Sequence, residues 1–288
     1  GQNVSTNWYD EVTRSTTITQ NHNIAFTTGN ENGNMRASVG VIQNQGLLKQ
    51  NSDMMNYTAK MDATQFAFNK KLKFEMGLLA SQRDGNGLFD TKQVWNSIFA
   101  CIPTYSDLPD PVTGKYLQND SGVNASNPAG NATIKNQNDV TTLNAHAKAT
   151  WTILEGLNLS AFGSYTKLSL QNKRYYPNNI MYAQGDHGQA MINNTNRTDI
   201  MGNIQLSYTK DLGKHHIDAL GLVEAQSYTT FFNQSYSKNF ESNYFGYNNM
   251  QAGSTVNWGD VQSNKSQYKL MSYMARLNYM FADRYIAT

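Results

Sequence analysis

The chain of 288 residues contains one cysteine and five prolines, and only 15% of its residues are charged. A single cysteine excludes a disulfide scaffold and a zinc site built from several thiolates. The few prolines argue against a polyproline linker, and 11% aromatic residues with little charge argue against a disordered chain. The net charge of +2 gives no electrostatic reason to expect binding to nucleic acid. No apolar run is long enough for a membrane-spanning helix.

What the sequence does have is apolar residues that alternate with polar ones along many segments. Between 143 and 153, Leu, Ala, Trp and Ile occupy the odd positions and Thr, Asn, His and Lys the even ones. A strand places these two sets on opposite faces, whereas a helix would spread both around its circumference. The same alternation recurs at 72–80, 203–208 and 271–281. The sequence therefore predicts an all-β protein.

This periodicity predicts nine strands and the start of a tenth at Tyr285. The predicted strands are 18–29, 34–43, 56–68, 72–83, 139–153, 157–171, 199–210, 215–228 and 267–281. Most have about 12 to 15 residues, whereas strands of soluble domains usually have about 5–6. A tilted strand that crosses a bilayer needs about 9–11 residues, so the predicted lengths favour membrane-spanning strands.

Short and long connections alternate between these strands. The short ones contain Asn, Asp and Gly, which adopt the positive φ angles of tight hairpins. The long ones are predicted at 44–55, 84–138, 172–198 and 229–266. Short turns on one side and long loops on the other are typical of an antiparallel up-and-down transmembrane β-barrel. A soluble β-sandwich or β-helix with long hairpins is the alternative that the pattern leaves open.

Several motifs, in the same order and spacing, resemble the SusC-like TonB-dependent outer-membrane transporters. Near the beginning of the chain these are NWYDEV at 7–12, QNHNI at 20–24 and GNENG at 29–33. Near its end, SYMARLNY at 272–279 precedes FADRY at 281–285. The motifs bracket nearly the whole chain, and the long loops between them match the family only in character.

The resemblance implies that residues 1–288 are a partial barrel domain of such a transporter. Members of the family have far more strands, and no plug-like sequence or TonB-binding motif precedes residue 7. We therefore expect a barrel fragment of about nine to ten strands, without the plug domain or the C-terminal strands. The family implies a bacterial outer-membrane location, surrounding lipid, and uptake of glycans or peptides. It also implies two partners, a SusD-like surface lipoprotein and the TonB complex, the latter acting through the plug.

No catalytic constellation, metal site or cofactor motif is recognisable, so we expect a protein that is not an enzyme. Adjacent strand residues point to opposite faces, so His215 and His216 cannot chelate one metal ion. Asp218 and Glu224 share a face, but about 20 Å of strand separates them, which is too far for an acid–base pair. Cys101 lies in an apolar run of the longest loop and is predicted to be a packed thiol.

Binding is the remaining possibility, and the long loops carry aromatic residues among Asn, Asp and Gln. Flat rings beside amides suit sugar faces and peptides, although loop aromatics also pack a loop against itself. From ring type and position, Trp95, Tyr116 and Trp258 are the predicted ligand contacts.

Two other functions are open at this point. A soluble carbohydrate-binding β-sheet module would bury the apolar strand face against a second sheet. An enzyme such as a β-helix polysaccharide lyase would cluster carboxylates, or a Lys/Arg pair, on one wet face.

Overall fold

The computed structural model describes residues 5–50, 52–87, 91–118, 126–183 and 185–288. Its strands form one antiparallel sheet in which neighbours along the chain are neighbours in space, with a single short exception. The strands are β1 (Thr19–Asn30), β2 (Gly33–Asn44), β3 (Met54–Ala67), β4 (Leu72–Asn86), β5 (Lys135–Leu154), β6 (Leu157–Tyr176), β7 (Gln189–Leu212), β8 (His215–Phe240), β9 (Gly253–Thr255), β10 (Val261–Phe281) and β11 (Tyr285–Ala287). The predicted all-β, up-and-down architecture is confirmed.

The strands on the C-terminal side are longer than predicted. β8 has 26 residues and β7 has 24, whereas β1 and β2 have 12 each. The connections are consequently 87–134, 177–188 and 241–260, shorter than the predicted 84–138, 172–198 and 229–266. These extensions carry polar residues on both faces. Such a strand shows no alternation of apolar and polar residues, so the sequence pattern did not predict it. The added strand β9, which pairs with the end of β8, has only three residues.

The register places the apolar positions of all strands on one face. One row across the sheet reads Phe74, Ala149, Ala161, Ile204, Val223 and Tyr273. The adjacent row, one residue along, reads Glu75, Lys148, Phe162, Asn203, Glu224 and Ser272. We call these sides the Phe74 face and the Glu75 face. The predicted facing of these strands is confirmed.

The apolar part of the Phe74 face is open to the surroundings. Ile24 is 76% exposed, Tyr273 71% and Ile204 60%, and all strands of the described residues belong to this one sheet. On β10 this apolar stretch covers 271–281, about 35 Å along the strand. At a strand tilt of about 40° it has a height of about 27 Å, which matches the apolar band of an outer-membrane barrel.

Tight turns connect the strands at one end of the sheet, which we call the short-turn end. Gly156 and Gly213 have positive φ angles of 83° and 64° in two of these turns. A Cβ atom on Gly156 would lie 2.1 Å from the carbonyl oxygen of Thr209, so only glycine fits there. Phe68, Asn69 and Lys70 all have positive φ, which is unusual for residues other than glycine.

The opposite end, the long-loop end, carries the helices and all buried apolar side chains found in the described residues. The helices are α1 (Trp8–Val12), α2 (Thr91–Ala100) and α3 (Pro128–Ala132). None of the helices in the described part of the chain combines the length and apolar character needed to cross a membrane. The buried apolar residues form three clusters among the loops and strand ends. The packed core of the described residues therefore lies at the long-loop end of the sheet and not against either of its faces.

Candidate functional site

The first cluster at the long-loop end joins three separate chain segments. It consists of Trp8, Val12, Leu48, Val94, Ile98 and Cys101. The last three lie at i, i+4 and i+7, the spacing that places residues on one side of a helix such as α2. The indole of Trp8 donates a hydrogen bond of 3.2 Å to the carbonyl of Ile102. Sequence reasoning missed this helix, although its spacing was a usable signal.

Arg14 fastens the residues before β1 to the loop between β2 and β3. Its guanidinium donates to the carbonyls of Gly46 (2.6 Å), Leu48 (2.7 Å) and Lys49 (2.9 Å). It also forms a bidentate ion pair with Asp53, at 2.8 and 3.1 Å. The planar, five-donor guanidinium is suited to this many acceptors at once. Arg14 thus connects the described residues of this loop, 45–50 and 52–53, to the chain just before β1.

Lys49, a residue of this loop, in turn donates hydrogen bonds to the segment that precedes Arg14. Its Nζ atom donates to the carbonyls of Asp10 (2.8 Å) and Glu11 (2.7 Å) at the end of α1. A cation at this position satisfies helix carbonyls that lack internal partners. The short α1 is thus tied at its end to the same loop that Arg14 holds.

Buried polar side chains connect α2 with α3. Asn127 caps α3 by accepting hydrogen bonds from the backbone of Ala129 (3.0 Å) and Gly130 (3.3 Å). Asn131 donates to the hydroxyls of Ser97 (3.1 Å) and Ser126 (2.6 Å). These contacts explain how the Asn-rich loops fold without a large apolar core.

A cavity of about 20 Å³ lies between the first cluster and α3. Val12, Leu48, Val94 and Ile98 are among its lining residues. It has room for about one water molecule. It cannot hold a sugar ring or a peptide side chain.

The three predicted ligand residues are not brought together. Trp95 is half-buried against the first cluster and stacks on Phe99, with ring centroids 6.3 Å apart. Tyr116 packs against the second cluster, Ile134, Ile180 and Ala183. Burial, and next the charge of Asp107, raises the pKa of the Tyr116 hydroxyl. Trp258 belongs to neither cluster and is fully exposed.

Other aromatic side chains of the long-loop end are more accessible than Trp95 and Tyr116. Phe99 is 77% exposed and Tyr244 is 81% exposed. Phe245 packs edge-on against Tyr244, with ring centroids 5.0 Å apart. In contrast Tyr175, near the end of β6, is completely buried, and its hydroxyl donates a hydrogen bond of 2.8 Å to Asn243.

A row of neutral amides crosses the Glu75 face near the long-loop end. This amide row consists of Asn138, Asn172, Asn193, Gln234 and Gln262. Asn172 donates to the side-chain oxygens of Asn138 and Asn136. The Oδ1 atom of Asn193 is the one buried side-chain polar atom in the described ranges that lacks a hydrogen-bond partner. Sequence reasoning missed this row, because its members meet only through the strand register.

Several charged residues of the Glu75 face are paired with each other. Asp218 accepts from Arg276 at 3.3 Å and from Asn278 at 3.4 Å. Lys73 and Glu75 form an ion pair of 2.7 Å. The predicted common facing of Asp218 and Glu224 is confirmed by the register. Within the described parts of the chain, no three His, Cys, Asp or Glu side chains are close enough to hold a metal ion.

Cys101 is a packed thiol, as predicted. It is buried in the first cluster. Desolvation raises its pKa to about 11, and a backbone hydrogen bond at Ile102 opposes the shift weakly. A thiol that stays protonated at neutral pH is a poor nucleophile.

Comparison of the sequence with protein-family models finds no match. Two curated relatives align with 99% of the chain. They are TonB-dependent receptor P3 of Formosa agariphila, at 23% identity, and TonB-dependent receptor SusC of Bacteroides thetaiotaomicron, at 25% identity. The chain spans 29% of the length of each.

Solved structures agree with these relatives in fold. The structure of the RagAB peptide transporter covers 97% of the chain with a TM-score of 0.74 and 19% identity, and the chain covers 32% of it. The ferric-catecholate import receptor Fiu of Escherichia coli K12 covers 93% with a TM-score of 0.52 and 10% identity, and the chain covers 42% of it.

The chain thus resembles a segment of a TonB-dependent receptor barrel in sequence and in fold, and its sheet is made of consecutive antiparallel strands. Its similarity to SusC agrees with the resemblance that its sequence motifs carry.

Proposed function

We propose that this chain forms part of the barrel wall of a SusC-like transporter in the bacterial outer membrane. The observation that carries the proposal is the uncharged, exposed apolar stretch of the Phe74 face, which continues in register from β1 to β10. Such a surface is stable when acyl chains cover it. The Glu75 face then lines the lumen, and the long-loop end faces the outside of the cell.

The transported ligand is a glycan or a peptide. Glycans and peptides can both be bound by neutral side-chain amides and exposed aromatic rings. The amide row and Trp258 provide these groups. The side-chain amides of this row carry both donors and acceptors, which suit a sugar hydroxyl or a peptide N–H. Relatives named as receptors and as a peptide transporter support uptake without bond chemistry. The chain therefore acts by binding and not as an enzyme.

Two partners belong to this proposal. A SusD-like lipoprotein would cover the long-loop end and deliver the ligand, and TonB would supply the energy through a plug domain of the whole transporter. The chain provides a stiff platform for the first of these, since Arg14, Lys49 and the clusters fix the loops.

The rival soluble module is disfavoured by the exposure of the Phe74 face. That module requires a second layer of protein over Ile204 and Tyr273, but both side chains are exposed. The rival lyase requires clustered carboxylates, whereas Asp218 is paired with Arg276.

The test measures ligand uptake by cells that carry a single transporter gene. That gene is the full-length one that encodes this chain. Labelled oligosaccharides and labelled peptides are supplied separately, with and without a functional TonB. Uptake of one ligand class that disappears without TonB is expected. Equal uptake without TonB, or uptake of neither class by cells that insert the protein normally, would refute the proposal.

Variants of the amide row then connect uptake to the described residues. Asn193→Ala and Gln234→Ala are expected to lower ligand affinity about fivefold each, the effect of losing one hydrogen bond of about 1 kcal/mol. Asn196→Ala is the matched control, because Asn196 lies on β7 but on the Phe74 face. Equal losses in all three variants would remove the amide row from the binding surface.

A further inference from the structure

Charge is segregated between the two faces of β6, β7, β8 and β10. Their four carboxylates, Asp199, Asp211, Asp218 and Glu224, all occupy Glu75-face positions in the register. At Phe74-face positions these four strands have no acidic residue, but they carry five lysines. These are Lys167, Lys173, Lys210, Lys265 and Lys269.

Three of these lysines border the apolar stretch on the side of the long-loop end. We call Lys167, Lys265 and Lys269 the lysine belt. Lys167 begins a row that continues through Thr198 and Thr229 to Gln267. Gln267 lies midway between the other two lysines on β10, two residues from each. With strands about 4.8 Å apart, the three Cα atoms form a triangle with sides of about 13–16 Å.

The lysine belt has no internal counter-charge. All three side chains are exposed, and none forms an ion pair or hydrogen bond with another described residue. Lys173, which lies higher on the same face, differs because Asp139 pairs with it at 3.0 Å. The centre of the triangle is neutral, with Gln267 donating to Ser227 (3.3 Å) and Thr229 (3.1 Å).

From the level of Lys265 towards the long-loop end, most Phe74-face positions carry neutral hydrogen-bonding groups, with Phe231 and Val261 as exposed apolar exceptions. Ser169 donates to Asn196 and Gln171 donates to Asn194, each at 2.8 Å. From the apolar stretch towards the long-loop end, the face therefore presents hydrocarbon, then positive charge, then amides and hydroxyls. This is the layering of one class of lipid: acyl chains, phosphate groups and sugars.

We propose that the lysine belt binds the phosphate groups of a phosphorylated glycolipid in the leaflet around the long-loop end. The inference rests on the proposed location of the chain in an outer membrane. Ammonium groups that project from a protein wall at headgroup depth attract anionic headgroups. The neutral groups around Asn194 and Asn196 then lie level with the sugar portion.

The experiment uses the full-length transporter in detergent and native mass spectrometry. Three lipids are added in turn: an acylated glucosamine disaccharide with two phosphates, the same lipid without phosphates, and phosphatidylglycerol. Wild-type protein is expected to retain the bisphosphorylated glycolipid in preference to the other two. The triple variant Lys167→Gln, Lys265→Gln, Lys269→Gln is expected to bind it about a hundredfold more weakly, at about fivefold for each lysine.

A second triple variant, Lys70→Gln, Lys148→Gln, Lys214→Gln, is the matched control. It removes the same charge from two short turns and from the Glu75 face, and its glycolipid binding is expected to equal that of the wild type. Equal binding by both triple variants, or equal retention of the phosphate-free lipid, would overturn the proposal. Preference for phosphatidylglycerol would assign the belt to glycerophospholipid and overturn it as well.

Ligand uptake separates this inference from the proposed function. The belt variant is expected to take up ligand normally, because the lysine belt faces away from the lumen. Absence of the lipid preference in the wild type, together with normal uptake, refutes the lysine-belt proposal alone, whereas absence of uptake in the wild type refutes the transporter proposal.

Discussion

The imidazole of His146 on β5 occupies the space that a side chain at Gly77 on β4 would need. The two residues are register partners on the Glu75 face, and a Cβ atom on Gly77 would lie 2.3 Å from Cε1 of His146. The ring extends towards Phe162 on the next strand, with a centroid distance of 6.1 Å. One histidine thus bridges three strands because the first of them has a glycine.

This contact predicts that Gly77→Val destabilises the barrel by about 1–3 kcal/mol, the usual cost of overpacking. Adding His146→Ala to Gly77→Val should recover much of the loss. The measurement is urea unfolding of the full-length transporter, followed by the mobility shift of folded barrels in electrophoresis. Additive losses in the double variant would contradict the steric explanation.

A charge on the Phe74 face should prevent insertion. Tyr273→Asp places a carboxylate in the apolar stretch of β10 and is expected to cost up to about 2 kcal/mol, depending on depth, since acidic residues cost less than lysine or arginine there. Ser272→Asp, its neighbour on the Glu75 face, should insert normally. Membrane fractionation of the full-length variants checks both. Equal insertion of the two would contradict the assignment of faces.

The predicted ligand residues should separate into two kinds. Trp258 is fully exposed, so Trp258→Ala should weaken ligand binding without lowering stability. Trp95 packs against the first cluster, so Trp95→Ala should lower the stability of the long-loop end, by up to about 3 kcal/mol. Ligand titration and thermal unfolding of the full-length protein measure the two effects. Unchanged ligand affinity in Trp258→Ala would remove that residue from the binding surface.

Arg14→Lys should loosen the loop at 45–53. A single ammonium cannot reach the three carbonyls and Asp53 together, and the lost charged hydrogen bonds cost about 2 kcal/mol. Limited proteolysis should then cut this loop faster. Arg284→Lys at the short-turn end makes the same chemical change and should leave the cleavage rate unaltered. Unaltered cleavage in Arg14→Lys would show that other contacts hold the loop.

Cys101 should react slowly with iodoacetamide while the protein is folded. Burial raises the pKa of the thiol from 9.0 to about 11, which favours the protonated form in the folded state. This preference makes no difference below pH 9, and it reduces folding stability as the pH rises from 9 towards 11. Alkylation followed by mass spectrometry at pH 8, before and after denaturation, checks the prediction. Fast labelling of the folded protein would place Cys101 in contact with solvent.

The sequence predicted the parts of the fold that depend on local alternation. The faces of β4, β5, β7 and β10 and the positions of the tight turns were all predicted correctly. The upper parts of β7 and β8 were not, because Asn, Gln and Thr occupy both of their faces.

Long-range contacts account for what the sequence did not predict. The hydrogen bonds of Arg14 reach residues more than 30 positions away, and the amide row joins residues from five strands. Nothing local in the sequence indicates such pairings. Helix α2 was not predicted for a different reason. Its i, i+4, i+7 pattern is visible, but it lies inside the segment 84–138, which was predicted as one long loop.

In the described residues the buried apolar side chains are confined to the long-loop end, and this has a consequence for how the sequences of such barrel walls diverge. Fluid hydrocarbon imposes no particular shape on the residues it touches, so on the exposed wall Leu, Ile, Val or Phe can replace one another without leaving a void. Only the alternation must persist. A wall of this kind can keep its outline, at a TM-score of 0.74, while four residues in five have been exchanged, at 19% identity.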